Sequence, residues 1–377
     1  MKILIVQGGF GAGGAEKIVS VLAAHRIGLG DQVSVAGMTM PEDGSYFSFP
    51  DGVSLLVAEG GNDGFRGLKQ LARLRRIRRF FRDENPDVVV SFLTKINVLT
   101  LAAALGRDVP VIVSERNNPI VQNANPVWRH AQNILGHRAS TVVMQTERVR
   151  QDLPPSLRSK ARVIPNPCAP IDGAATLLGS GGNRLVAVGR LDPQKGFDLL
   201  IDAMSEIIQN NPDARLTIFG EGPERAALEA QRDRLGLQNV ISLPGASDTP
   251  GAWMDGADIL VFSSRFEGFP NVVAEATVAG LPVVSFDCPY GPRELIRHGE
   301  NGLLVAPEDT EELARAVLQL SDDPELLDKM RQGYQHNRDW LAPGSILEKW
   351  DRIIADAAHR RVGAGVEHGH SSCRRES

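Results

Sequence analysis

Cysteine is scarce in this sequence. Cys168, Cys288 and Cys373 are the only three in 377 residues, and they lie far apart at no metal-ligand spacing. A disulfide framework is therefore not expected, and a reducing cytoplasm fits best. Long apolar runs are missing as well, since no stretch approaches the roughly 18 apolar residues of a membrane-spanning helix. The N-terminus, MKILIVQGGFGAGG, has an apolar run of only five residues before glycines interrupt it. That excludes the h-region of a signal peptide. Positive charge is not in excess either. The formal net charge is −5, so the chain as a whole is not built to coat nucleic acid, and any basic surface must be local.

What is present is a repeated alternation. At about 150 residues per domain the length suggests two domains. KILIV at 2–6 is a short apolar, β-branched run that ends in glycines and reads as a buried parallel strand. Helical patterns near 13–27, 65–84 and 95–105 alternate with strand patterns at 32–37, 86–92, 109–114 and 140–144. Residues 165–183 are rich in Pro, Gly, Ser and Asn and read as a linker. The alternation then restarts, with strands expected at 184–189, 214–220, 239–243, 257–262, 282–286 and 302–305. Strands alternating with helices imply βαβ units on a parallel sheet. The expected fold is α/β, with two Rossmann-like, doubly wound domains facing a cleft. Residues 1–165 form the first domain, 166–183 the linker and 184–344 the second domain. A helix at 345–361 returns to the first domain, and a disordered tail covers 362–377. His368 and His370 lie in that tail, where no scaffold would hold a metal.

Ligands of open α/β sheets bind outside the carboxyl ends of strands, and the motifs fall there. GRLDPQKG at 189–196 follows the first strand of the second half. Arg190 offers a planar fork for phosphate oxygens, Lys195 a point charge at a helix start, and the helix N-terminus adds amide donors. RFEGFPNVVAEA at 265–276 follows another strand and opens a second helix, with Pro270 near its first turn. Amides of Gly268, Phe269 and Asn271 point from that helix start toward the cleft. Glu267 and Glu275 would repel phosphate but accept hydrogen bonds from sugar hydroxyls. Amides and cations for an anion, with carboxylates for hydroxyls, describe a nucleotide-sugar site. The blander reading is a solvated Arg and Lys, an exposed Glu267, and a Glu275 paired with a neighbouring Arg. Base recognition is expected from backbone near Gly222 and Pro244, after strands of the second half. GGFGAGGAE at 8–16 allows close approach of a ligand but has no Gly-Lys-Ser/Thr ending. Gly9, Gly11 and Gly14 stand at G-x-G-x-x-G spacing, yet no acidic residue ends the second strand.

Gly-Arg-Leu-x-x-x-Lys-Gly at 189–196, Glu-Gly-Phe-Pro with a second Glu eight residues after the first, and NGLLV at 301–305 together resemble family four of the retaining glycosyltransferases. The resemblance covers residues 1–358. It implies a GT-B fold, no required metal or other cofactor, and transfer with retention of the donor's anomeric configuration. It implies that Arg190 and Lys195 hold the donor diphosphate. Glu267 would contact the transferred sugar and Glu275 the ribose hydroxyls. Gly11 and Gly13 would line the donor–acceptor junction, with Gly14 beside them on the acceptor side. Many members carry a His-Asp pair after the strand corresponding to VPVIVS. Here SERNNP follows, and Arg116 or Asn117 stands in the histidine's place. With CPYGPRELI at 288–296, this resembles a subgroup that builds bacterial surface glycans and lipid-linked oligosaccharides.

One helical pattern remains. Residues 66–82 carry Lys69 and seven arginines, among them Arg73, Arg75, Arg76 and Arg79, without an acid between them. Leu68, Leu71, Leu74, Ile77 and Phe81 form an apolar stripe suited to a sheet. The sheet explains the stripe but not the charges. A polybasic amphipathic helix favours anionic lipid headgroups, whereas nucleic acid would call for a stacking set of aromatics that is absent. The expected activity is transfer of a hexose or N-acetylhexosamine from a nucleotide diphosphate sugar to a lipid-linked or surface glycan, at the cytoplasmic face of a membrane. Rival readings are a GT-B epimerase of free nucleotide sugars, a pyridoxal-phosphate phosphorylase for which no lysine stands out, and a non-catalytic sugar-nucleotide sensor.

Overall fold

In the computed structural model, residues 1–11, 13–58, 66–116, 126–170, 179, 181–247, 249 and 251–369 are described. The chain divides into two compact units: Met1–Pro165 with Ile346–Ser377, and Asn166–Ser345.

The first unit is a seven-stranded parallel sheet in the order β3-β2-β1-β4-β5-β6-β7. Its strands are β1 (Lys2–Gln7), β2 (Gln32–Gly37), β3 (Ser54–Val57), β4 (Val88–Phe92), β5 (Val111–Ser114), β6 (Thr141–Met144) and β7 (Ala161–Val163). The β-branched runs VVVSF and VIVS are buried on both faces, as central parallel strands require. Helices α1 (Gly14–Gly28), α2 (Arg66–Glu84), α3 (Thr94–Ala103), α4 (Pro126–Leu135), α5 (Glu147–Gln151) and α6 (Pro155–Arg158) connect them. Two strands and three helices go beyond the sequence reading. β3 and β7 are the sheet's edges, and α5 and α6 are only five and four residues long.

The second unit repeats the plan with six parallel strands, ordered β10-β9-β8-β11-β12-β13. They are β8 (Arg184–Val188), β9 (Arg215–Phe219), β10 (Ile241–Gly245), β11 (Ile259–Phe262), β12 (Val283–Phe286) and β13 (Gly302–Val305). Its helices are α7 (Phe197–Asn210), α8 (Arg225–Arg234), α9 (Asn271–Ala279), α10 (Pro292–Leu295), α11 (Thr310–Asp322), α12 (Pro324–Arg331) and α13 (Gln335–Trp340). Asp309 caps α11 and Asp323 caps α12 through their side chains, and Pro324 occupies the first helical position. In both sheets the strand order reverses beside the first strand, between β1 and β4 and between β8 and β11. Crevices for ligands open at such switch points.

The last helix, α14, runs Pro343–Gly369. Ile346, Trp350, Ile353 and Ile354 join the core of the first unit, where the Trp350 and Phe92 ring centroids are 5.8 Å apart. Asp351 bonds Arg26 at 2.6 Å and His25 at 2.8 Å. The helix continues past residue 362, where the sequence reading begins a disordered tail. Ala357, Ala358, Arg360 and Arg361 are strong helix formers, and Gly363 and Gly365 weaken a helix without the clash a proline brings. Among the described residues, no helix is long and apolar enough to cross a membrane.

Candidate active site

β8 and β11 flank the switch point of the second unit, paired at Leu185↔Ile259 and Val186↔Leu260. The two motifs hang from these neighbours, and the structure ties them together. Lys195 Nζ donates to Glu267 Oε1 at 2.6 Å, and Ser264 Oγ donates to the same oxygen at 2.8 Å. The Glu267 side chain is 7 % exposed and that of Lys195 19 %. Burial of the pair strengthens its attraction, so neither charge is simply solvated. Lys195 Nζ also lies 5.7 Å from the Phe262 ring centroid.

A second set of bonds holds the loops in register. Arg265 forks onto Asp198 at 2.8 and 2.6 Å and reaches the carbonyl of Pro193. Asp198 is held below the usual carboxylate range, chiefly by that hydrogen bond. Gln194 Nε2 donates to Phe266 O, Arg265 N to Gln194 O, and Ser263 Oγ to Lys195 O. Gly196 turns the chain into α7 at φ 61°, and a Cβ there would lie 2.2 Å from the carbonyl of Ser263. Both constraints require glycine. Of these tethers, sequence reasoning missed Asp198, Gln194, Ser263, Ser264 and the pairing role of Arg265. The partners are up to 72 residues apart, and no local pattern marks them.

The other expected residues are placed as follows. Arg190 is 71 % exposed and pairs with Asp192. Neither N-cap residue bonds the start of α7 or α9 through its side chain, but at α7 the Asp198 carboxylate takes the backbone amides of Asp198 and Leu199. Pro270 is the N-cap of α9 and Asn271 its first residue. Asn271 Oδ1 accepts from Asn166 Nδ2 at 2.7 Å. Glu275 is half-buried in the second helical turn, and Gly268 is half-buried in the loop. Phe269 places its side chain in the core, which leaves its backbone for any ligand. At Gly222 a Cβ would come within 2.3 Å of Leu191 O. Pro244 lies inside β10, not after it as the sequence reading has it. β10 is an edge strand, where proline is tolerated. Cys288 is buried nearby with its thiol pushed well up, by burial first and the charge of Glu267 second, so it is no nucleophile.

The glycine loop and Arg116 belong to the first unit, at the carboxyl ends of β1 and β5. Gly11 is half-buried, Gly14 opens α1, and Gly13 is the N-cap, with the Glu16 carboxyl folded against it. Arg116 is buried. Its Nε donates to Ser114 Oγ at 2.9 Å, and its guanidinium lies 5.4 Å from the Phe92 centroid and 5.6 Å from that of Trp350. Burial lowers its pKa to about 9. Asn117 lies outside the described residues. Glu115, which the sequence reading passed over, is buried and accepts from Thr94, Asn97 and Gln132 at 2.6–2.7 Å. Burial raises its carboxyl to about 7.

On α2, Ile77 and Phe81 are buried, whereas Leu71 is 41 % exposed, so the apolar stripe reaches the core only in the helix's later turns. Lys69 is exposed and Arg73 half-buried. Arg75, Arg76, Arg78, Arg79 and Arg82 surround an open hollow with Arg107, whose Nη donates to Arg78 O at 3.5 Å.

Comparison with known proteins agrees with this architecture. Residues 13–167 match the glycosyl transferase 4-like domain, and residues 182–323 match glycosyl transferases group 1. An N-acetylgalactosaminyltransferase of Campylobacter jejuni, named for an undecaprenol diphosphate-linked acceptor, is 24 % identical over 94 % of this chain and 99 % of its own. An exopolysaccharide phosphotransferase of Streptomyces coelicolor is 35 % identical over 58 % of this chain, which spans about a quarter (24 %) of that relative's length. Among solved structures, Anabaena HepE in complex with UDP superposes with a TM-score of 0.77 at 19 % identity, covering 94 % of this chain and 100 % of that one. It shares the fold.

Proposed function

The chain belongs to the group 1, family 4-like glycosyltransferases of GT-B fold, and on that premise we propose that it is a retaining, metal-independent hexosyl- or N-acetylhexosaminyltransferase. The donor is a nucleotide diphosphate sugar, with UDP as the carrier, and the acceptor is a lipid-linked or surface glycan. The observation that carries this reading is the Lys195–Glu267 pair at 2.6 Å, which joins the loops after β8 and β11. A diphosphate arriving at Lys195, Arg190 and the start of α9 meets cationic and amide donors. Stabilising the charge that develops on a leaving diphosphate is the chief demand of such a reaction, and pre-oriented cations and amides meet it without reorganising. Glu267, held by Lys195 and Ser264, faces the transferred sugar. Glu275, one turn into α9, takes the ribose hydroxyls.

The first unit, residues 1–165, receives the acceptor, with Gly11, Gly13, Gly14 and Arg116 at the carboxyl edge of its sheet. The arginines of α2 hold the enzyme on the anionic inner face of the cytoplasmic membrane. Exposed Leu71 beside them supports that role. The relatives' names point the same way, since the Campylobacter enzyme is named for a lipid-linked acceptor.

A panel of labelled UDP-, GDP- and ADP-sugars, with and without a polyprenyl-diphosphate glycan, tests the activity. Sugar transfer that depends on both substrates is expected. Interconversion of the donor without acceptor would mean an epimerase, and binding without turnover a sensor. Roles within the site are tested by calorimetry of UDP alone. Glu275→Ala should lose affinity, and Glu267→Gln should keep it while kcat falls. The opposite pattern reverses the assignment.

A further inference from the structure

Asn271 opens α9, and its side chain has a partner that the donor-site motifs do not announce. Asn166 Nδ2 donates to Asn271 Oδ1 at 2.7 Å, across 105 residues of chain. Asn166 is 7 % exposed. It is the first residue of the second unit, so the bond lies wholly within that unit.

The start of α9 is short of donors. Pro270 stands at the N-cap and has no N–H to give. The amide of Val273 is turned to Pro270 O at 3.1 Å. Of the first-turn amides, those of Asn271 and Val272 are left for a ligand. A side-chain amide at the first helical position can add to them, but only one way round. Its Nδ2 carries two N–H donors, and its Oδ1 only accepts. Oδ1 turned toward an anion would repel it. Asn166 settles which end is used, because its own Nδ2 only donates. The bond takes Oδ1 of Asn271 and leaves Nδ2 on the opposite side of the amide. Among the described residues nothing accepts from that Nδ2.

We propose that Asn166 is a positioning residue of the donor site. It holds the Asn271 amide with Nδ2 toward the donor's diphosphate, so that α9 offers the anion side-chain N–H donors beside its backbone amides. The inference rests on the reading of the α9 start as the diphosphate site.

Calorimetry with UDP and NMR titration with uridine, both on the full chain, make the test. Asn166→Ala frees the Asn271 amide to rotate and should weaken UDP binding about threefold. Asn166→Asp goes further. A carboxylate only accepts, so Asn271 must turn Nδ2 to it and present Oδ1 to the diphosphate. UDP affinity should fall about 10- to 100-fold, the scale of a lost hydrogen bond to a charged group. Uridine has no phosphate and should bind both variants like wild type. A bond that merely braces the chain would weaken both ligands alike.

An Asn271→Ala background separates the turned amide from the added charge at position 166. There Asn166→Ala should have no further effect on UDP, and Asn166→Asp should lose most of its penalty. The proposal is overturned if Asn166→Asp binds UDP like wild type, if uridine weakens in step with UDP, or if either substitution weakens UDP as much without the Asn271 side chain as with it. If wild type binds no UDP, the donor reading fails and this inference with it. If wild type binds UDP and the variants bind it equally well, the inference alone fails.

Discussion

Lys195 and the arginines of α2 are both cationic, and their surroundings differ in every respect. Lys195 is 19 % exposed and paired with a nearly buried Glu267. Arg75, Arg78, Arg79 and Arg107 are exposed and, among the described residues, have no carboxylate partner. A buried charge with one partner acts by position. It sits in a low dielectric and is screened little by salt. A cluster of exposed like charges acts as a field, adds roughly 1 kcal/mol per residue at an anionic membrane surface, and fades within a Debye length. The same charge is thus fixed in position in one unit and spread as a field in the other.

The sharpest way to break this contrast is Lys195→Ala. It strands Glu267 in a buried site, which should cost about 3–5 kcal/mol of stability. Turnover should fall about 100- to 1,000-fold from lost charge stabilisation. Urea unfolding and kcat/KM check both, and a wild-type kcat/KM would sink the assignment of Lys195.

Glu115 tests what a buried carboxyl does when its partners are neutral. Burial raises its pKa in the folded chain from an ordinary 4.5 to about 7. The folded state therefore holds this proton more tightly. Its stabilising contribution is full below pH 4.5, is lost as the pH rises toward 7, and is flat above. The shift corresponds to about 3 kcal/mol. Unfolding of wild type and Glu115→Gln between pH 5 and 8 should show the variant losing that slope. Parallel curves would mean that the carboxyl is ordinary.

Reversal of Arg75, Arg76 and Arg79 to Glu removes the field. About 3 kcal/mol of membrane attraction should go with the three charges alone. The variant should leave anionic vesicles, raised salt should mimic it in wild type, and donor hydrolysis should persist. Equal loss of transfer to soluble and lipid-linked acceptors would show that α2 supports the fold and little else.

Arg190→Ala is the mildest of the four for stability, with a change within about 0.5 kcal/mol expected because the side chain is exposed. Donor turnover should still drop, by less than for Lys195. If Arg190→Ala unfolds the chain as readily as Lys195→Ala, burial is not what separates them.

The parts visible in the sequence are those with local signatures. Five of the six strands of the second unit are mainly apolar runs; the edge strand β10, ISLPG, carries Ser, Pro and Gly. β3 and β7 do not stand out, because an edge strand of three or four residues buries too little to show a pattern. α4 is different: its apolar residues recur at helical spacing, so it was legible in principle, although Val127 and Ile134 are 68 % and 58 % exposed in the fold. Within the candidate site, Arg190, Lys195, Glu267 and Glu275 are expectations drawn from motif spacing in short loops, and the structure joins two of them, Lys195 and Glu267. The Arg265–Asp198 fork joins residues 67 apart, and only folding brings them together. Glu115 escaped notice between two residues that drew attention for their place in a motif. Its importance comes from burial, which a polar tripeptide does not advertise.

The route of the chain has a consequence for the order of events during synthesis. The first unit begins at Met1, yet its core includes Trp350 and Ile354. The second unit is complete at Ser345. A ribosome therefore finishes every residue of the second unit before it releases the helix that the first unit needs. Domains fold as units as they emerge. The half translated first is therefore the half that closes last, and until then a hydrophobic slot against Phe92 stands open to chaperones and proteases. Nascent chains arrested just past Ser345 should be cleaved in the first 165 residues and resist within the second unit; arrest well beyond Ala357 should protect both.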